Sequence, residues 1–275
     1  MKKGITFFVL ILASWNLYAP PNCEIYKGND NCYKSCKEAM RAIRYRQGSH
    51  ESQQHFEKSI NLCPSLAYSY MEKAVPYLKR GLFIEWKKMI DKAVELSPEE
   101  YLGYRGWCRL QFLADYEGAI RDIEKLKALI NYDISYCQNG EYHLNIALAL
   151  CYKEMGEIDK AKKLIIQQLT SENYSVGPYD YYHLGVIEYE EGNYKNAINY
   201  FERQILENDY LAGTYYFKAM AHKNLNQIDL YIKNLTKAES FYRNGKVRFD
   251  NYTETIDKIY LIDILKEKNT AANKL

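Results

Sequence analysis

The chain has 275 residues, 47% of them hydrophobic and 26% charged, which is enough to bury a core or a row of repeats and excludes disorder over most of its length. Thirty-seven basic residues balance thirty-five acidic ones for a formal net charge of +2, so no whole-chain field draws it to nucleic acid or anionic lipid. Tyrosine stands out with 28 copies; it offers binding surfaces a rigid ring with a polar tip, although a genome biased towards A and T also raises Tyr, Asn, Lys and Ile together.

Residues 1–19 read as a signal peptide, with Lys2 and Lys3 before the apolar run Ile5 to Ala13 and cleavage expected after Ala19, just ahead of Pro20 and Pro21. That run is too short to span a bilayer, and the residues before Cys23 do not form a lipoprotein cleavage box. The mature protein, residues 20–275, is therefore expected in the periplasm or outside the cell. Export lets thiols pair, and Cys23, Cys32, Cys36 and Cys63 cluster at the mature amino terminus. Zinc is disfavoured there, since Cys32 and Cys36 have neither a second matched pair nor a nearby histidine. Cys108, Cys137 and Cys151 are expected to be buried thiols.

From about residue 33 the apolar positions follow helical spacing in segments of about fourteen that stop at Gly, Asn or Pro. No run of strand alternation interrupts them. The pattern recurs with a period near 34, the length of one helix-turn-helix unit that must stack on its neighbours to bury its apolar face. In the clearest copy Tyr181, Leu184 and Gly185 share a first-helix face, Gly192, Asn193 and Tyr194 make the turn, and Ala197 and Phe201 follow on the second helix. Weaker copies carry Tyr70, Ala74, Tyr77, Gly81 and Ala93; Trp107, Ala119 and Ile123; Leu148, Ala149, Tyr152, Gly156, Ala161 and Ile165; and Tyr215, Ala219, Asn226 and Ala238.

These residues resemble the tetratricopeptide repeat, and the resemblance covers about three quarters of the chain. It implies an all-α, right-handed solenoid of antiparallel helix pairs in about six copies, at 33–66, 67–99, 100–133, 142–175, 178–211 and 212–245. A cysteine-containing leader, 20–32, precedes them, and 246–275 is expected to be a capping helix, legible from Tyr252 to Lys268, with a frayed tail. Pro76 falls inside a first helix, where it deletes a hydrogen bond and should kink it. The stretch Asn131 to Glu141 inserts a loop. In the antiparallel first pair the start of one helix lies beside the end of the next, which favours Cys36–Cys63 and Cys23–Cys32 among the three possible pairings.

Catalytic signatures are wanting. His50 and His55 are five apart, so on a helix they point about 140° away from each other, unlike the four-residue spacing of a zinc-protease motif. No phosphate-cradling glycine loop and no GxSxG serine occur. The expectation is a non-enzymatic protein without metal or cofactor.

In the resembling family the first helices line a concave groove that holds an extended or helical peptide, which makes a protein or peptide the expected partner. Candidate groove residues here are Tyr101, Tyr104 and Phe112 in the third copy, Tyr179, Tyr182 and Tyr189 in the fifth, and Tyr216 in the sixth. Lys34, Lys37, Arg41 and Arg44 form a basic stripe on the first copy that suits a carboxylate-rich partner. A glycan-binding module using the tyrosine face is the alternative. Nucleic acid is disfavoured because Glu188, Glu190 and Glu191 interrupt any positive track. Nothing calls for a stable oligomer, so a monomer or weak oligomer is expected.

Overall fold

The computed structural model describes residues 21–272. The expected signal peptide and its cleavage point lie outside the described residues. Those residues form thirteen α-helices and no strand, only a single bridge between Tyr136 and His143. The chain divides into two compact units, residues 1–73 and 74–275.

In the first unit a short 3-10 turn, Cys23–Tyr26, leads into α1 (Asp30–Ala42) and α2 (His50–Leu62), followed by the start of α3 (Ala67–Lys79). Asn29 starts α1 by accepting the amide of Cys32 at 3.2 Å, and Ser49 starts α2 by accepting that of Ser52 at 3.2 Å; each cap satisfies a donor that the first turn leaves unpaired. The core gathers Ala39, Ala42, Phe56 and Leu66 around the four cysteines. Beside it runs a ladder of buried hydroxyls. Ser35 donates to the carbonyl of Ser59 at 2.7 Å, Ser59 donates to that of Ser35 at 2.9 Å, and Ser59 and Ser69 hydroxyls meet at 2.6 Å.

The disulfides are Cys23–Cys36 and Cys32–Cys63, with Cα atoms 5.5 and 4.9 Å apart. This corrects the pairing favoured from the sequence. The end of α2 does lie beside the start of α1, but α1 begins at Asp30, so the cysteine opposite Cys63 is Cys32. Cys36, one turn further on, faces the incoming 3-10 turn and takes Cys23.

In the second unit α4 (Phe83–Leu96) is followed by three complete pairs, α5 (Pro98–Cys108) with α6 (Tyr116–Leu129), α7 (Leu144–Glu154) with α8 (Ile158–Leu169), and α9 (Asp180–Glu190) with α10 (Tyr194–Glu207). A further pair, α11 (Ala212–Asn224) with α12 (Ile228–Arg243), precedes the last helix, α13 (Leu261–Ala272). Four first helices, α3, α7, α9 and α11, end in one recurring way: Leu82 bonds back to Tyr77, Glu157 to Tyr152, Asn193 to Glu188 and Gln227 to His222. The residue before each donor has positive φ, Gly81, Gly156, Gly192 and Asn226, the left-handed cap that glycine adopts freely and asparagine tolerates. Within pairs small residues set the approach. A Cβ on Gly185 would stand 2.5 Å from Phe201, so α9 and α10 close only because none is there.

The helix α3 includes Pro76 and continues to Lys79. One feature departs from the sequence reading. Residues 246–260 are irregular, so the final helix starts at Leu261 instead of near Tyr252.

Candidate peptide-binding groove

Helices α5, α7, α9 and α11 neighbour one another in turn and so share one face of the second unit. Residues 246–260, the strap, lie along it. After α5 the chain makes a π-helical turn, Arg109–Leu113, that ends on left-handed Ala114 with φ 49°. This turn aims Gln111 and Phe112 at the strap: Gln111 donates to the Thr253 hydroxyl at 2.7 Å, and the Phe112 and Tyr252 rings lie 6.3 Å apart.

Asp257 sits deepest. Lys153 of α7 donates to one carboxylate oxygen, His183 of α9 meets the other at 2.6 Å, and the Tyr182 hydroxyl donates to the Asp257 carbonyl. Side-chain exposure is 6% for Lys153, 5% for Asp257 and 0% for His183. An ionised carboxylate only accepts, so His183 carries its proton on Nδ1, leaving Nε2 to accept the Tyr142 hydroxyl at 2.8 Å. Burial lowers the His183 pKa and keeps the ring neutral. Burial alone would raise the Asp257 carboxyl, but the His183 hydrogen bond and the Lys153 charge outweigh it and hold it below its ordinary value. Lys153 is also opposed by burial, and the Asp257 charge outweighs it and raises the ammonium pKa. The result is a buried pair with its hydrogen bonds made, the condition under which such a pair is tolerated.

Arg248 anchors the other end of the strap. Its guanidinium lies 4.8 Å from the Tyr142 ring centre and 5.1 Å from that of Tyr179, and it donates to Glu141 at 2.9 Å. Glu141 comes from the inserted loop. There His143 meets Asp133 at 2.9 Å and the Cys137 amide donates to the Tyr142 carbonyl at 2.8 Å, which shapes the loop before α7 and sets Glu141 and Tyr142 against the strap.

The aromatic residues singled out from the sequence fall into two groups. Tyr101 and Tyr104 are buried in α5, and the Tyr101 hydroxyl donates to Glu100 at 2.9 Å. Tyr179, Tyr182 and Phe112 meet the strap. Tyr189 and Tyr216 are half-buried and converge on Phe217, with ring centres 5.6 and 5.4 Å from it. In the first unit the basic stripe faces solvent: Lys34 bonds Asp30 at 2.5 Å, Lys37 stands 4.0 Å from Glu24, Arg41 bonds Glu38 at 2.6 Å, and Arg44 is exposed. Glu38 is itself buried and also takes His55 at 2.9 Å and Lys58 at 3.0 Å. Sequence reading missed Lys153, Asp257, Arg248, Gln111 and His183. The sequence offered no signal for them, since Tyr252 to Lys268 reads as a helix and the connection from Arg243 to Leu261 is seen only in the structure.

Among the described residues no helix is long and apolar enough to cross a membrane, and no group of His, Cys, Asp and Glu is arranged to hold a metal ion. Free Cys108, Cys137 and Cys151 are buried.

Comparison with known proteins places this geometry. The sequence model of the tetratricopeptide repeat matches residues 142–173 and 181–208. A repeat-containing protein of Methanocaldococcus jannaschii is 22% identical over 224 residues, 78% of this chain and 35% of that protein. An NADPH oxidase activator of Dictyostelium discoideum is 30% identical over 125 residues, 44% of this chain and 19% of that protein, so the chain spans about a third or less of these relatives. Among solved structures, PilW, a type IV pilus biogenesis factor, has a TM-score of 0.63 at 14% identity, covering 84% of this chain and 98% of that one. PilF of Pseudomonas aeruginosa has 0.62 at 15%, covering 88% and 100%; at such identity these likenesses show the fold alone. The sequence model identifies residues 142–173 and 181–208 as tetratricopeptide repeats, and helix pairs at the same period give the described residues the all-α architecture of that repeat.

Proposed function

We propose that the chain is a non-enzymatic scaffold of the periplasm or cell exterior that binds another polypeptide in the concave groove of its first helices. One observation carries the reading: the face of α7 and α9 and the turn after α5 already hold an irregular stretch of polypeptide that turns at left-handed Asp257 (φ 57°), gripped largely through side chains. A surface of that kind reads a peptide's side chains one repeat at a time. Export is supported by the amino-terminal sequence and by two disulfides, which persist in oxidising compartments.

Catalysis has little to work with. Tyr142, His183 and Asp257 are linked like a proton relay, but Tyr142 is 1% exposed and burial holds its hydroxyl far above its ordinary pKa, so the chain of bonds ends without an accessible nucleophile. Sugar stacking has little support either, since Tyr182 is buried and Tyr179 and Tyr189 are only half open.

The test is capture by residues 20–275 from an envelope extract with a photo-crosslinking amino acid at Tyr189 or Met220, both half-buried beside the groove. A crosslinked partner peptide, lost when Tyr179→Ala and Tyr189→Ala are combined in a chain that still folds, supports the groove. A partner crosslinking only through the stripe Lys34, Lys37, Arg41 and Arg44 moves the interaction to the first pair, and no partner from the envelope sinks the scaffold reading for that compartment.

A further inference from the structure

The strap behaves as a ligand of its own groove. It leaves α12 with two backbone bonds at Lys246, whose amide donates to the Phe241 carbonyl at 2.9 Å and whose carbonyl accepts the Ala212 amide at 2.8 Å, and its later grip is largely through side chains. The groups that receive Asp257 are positioned without it: Tyr142 fixes His183 at 2.8 Å, and Glu190 lies 3.3 Å from Lys153. Vacated, this recess would present an ammonium and an imidazole N–H to one oxygen-rich group, the donors that select a carboxylate, with the Tyr182 phenol beside them for a main-chain carbonyl.

The fit of the strap is also incomplete. Arg248 Nε and Nη1 are buried with no hydrogen-bond partner, although the side chain is only 6% exposed. Beside Asp257 a cavity of about 320 Å³ opens between the strap and Tyr182, Leu211, Gly213 and Tyr242. Unmet donors and unfilled space weaken a held segment relative to one that fills the site.

Resting on the groove reading above, we infer that Lys153 and His183 form a carboxylate-recognition site occupied in cis by Asp257, whose carbonyl Tyr182 holds, and that its partner in trans is a segment that turns at an aspartate between aliphatic residues. The strap supplies the pattern, Thr255-Ile256-Asp257-Lys258-Ile259. Ile259 is buried against the α11 and α12 core, and Ile256 lines the cavity, so a partner with a larger side chain at the Ile256 position gains contacts that the strap forgoes. Because the tether keeps the cis segment at high effective concentration, binding in trans is suppressed until the strap is released.

The probe is a synthetic peptide of residues 246–260 with blocked ends and a fluorescent label. Its binding to residues 20–275 is read by anisotropy, for the unaltered chain and for Asp257→Asn. The variant is expected to bind at least about tenfold more tightly, in line with loss of an intramolecular competitor, and a peptide with Asn at the Asp257 position is expected to lose binding to both. Equal binding of the two peptides, or no gain in Asp257→Asn, overturns the inference. Should Asp257→Asn fail to fold, hydrogen exchange of the unaltered chain with and without excess peptide decides: faster exchange of strap amides is expected, and unchanged exchange overturns the inference. A partner captured through the Tyr189 crosslinker by a chain that ignores the peptide would sink the carboxylate site alone and leave the scaffold standing.

Discussion

The first unit and the strap of the second solve the same problem, fixing a stretch of chain that lies outside the α-helices, by opposite means. Residues 21–29, the leader ahead of α1, are tied by the covalent bond Cys23–Cys36, and Cys32–Cys63 clamps the start of α1 to the end of α2. Residues 246–260 are held by one buried carboxylate, one buried guanidinium and a few hydroxyls. A covalent tie holds in every state of the chain until it is reduced, whereas a charge pair holds only while both partners are present, ionised and dry. The first arrangement suits a permanent end, the second a segment that leaves.

The comparison breaks most visibly at Lys153. Replacing it with methionine strands Asp257 as a buried charge, and the expected cost is about 3–5 kcal/mol, read as loss of strap protection in hydrogen exchange while the first unit is unchanged. Replacing Cys32 and Cys63 together by alanine removes the disulfide of sequence separation 31 and is expected to cost about 2–4 kcal/mol in denaturant unfolding, with strap exchange unaltered. Ser59→Ala sharpens the contrast within the first unit, because it deletes a buried hydroxyl that bridges α1 and α2 whatever the redox state; about 1–3 kcal/mol is expected, measured with the disulfides intact.

Acid should separate the two regions more gently. The folded His183 pKa is lowered, so as pH falls through the ordinary histidine range the unfolded or released state takes up the proton first and strap stability declines. Asp257, also lowered, adds a second loss as pH falls below the ordinary aspartate value and onward through its folded one. The groups facing this pair are Lys153, Glu190, Tyr142, Tyr182 and Arg248, and hydrogen exchange at successive pH values should show the strap loosening already in the histidine range, ahead of the disulfide-bonded unit, whose Glu38, also lowered, loses its contribution only in the carboxylate range. Smallest of all, Lys34→Ala removes an exposed pair with Asp30 and is expected to change stability by less than about 0.5 kcal/mol.

What was legible in the sequence is what repeats. Gly185 against Phe201, the turn residues Gly156, Gly192 and Asn226, and the small residues Ala197 and Ala219 recur at the period of the fold, so each supports the reading of the others. The expected cysteine pairing is off by a single turn because helix starts are set locally, here by the Asn29 cap, which opens α1 at Asp30, three residues ahead of the repeat border at 33. The strap was illegible for another reason. His183 and Asp257 are 74 residues apart, Lys153 and Asp257 104, and Gln111 and Thr253 142, and no periodic pattern links residues that meet once and across unlike structure. The tyrosine faces were visible as spacing, but spacing alone does not tell which rings a later segment will cover.

That segment also changes how the second unit should melt. A row of helix pairs that touch only their neighbours unravels piecemeal, each pair with its own stability. Here the strap ties the turn after α5 and the helices α7 and α9 to the end of α12 and to α13, where Lys223 and Tyr231 meet Glu267. Pairs far apart in the stack thereby share one fate, and releasing the strap would convert a cooperative unit into a frayed array whose ends open first.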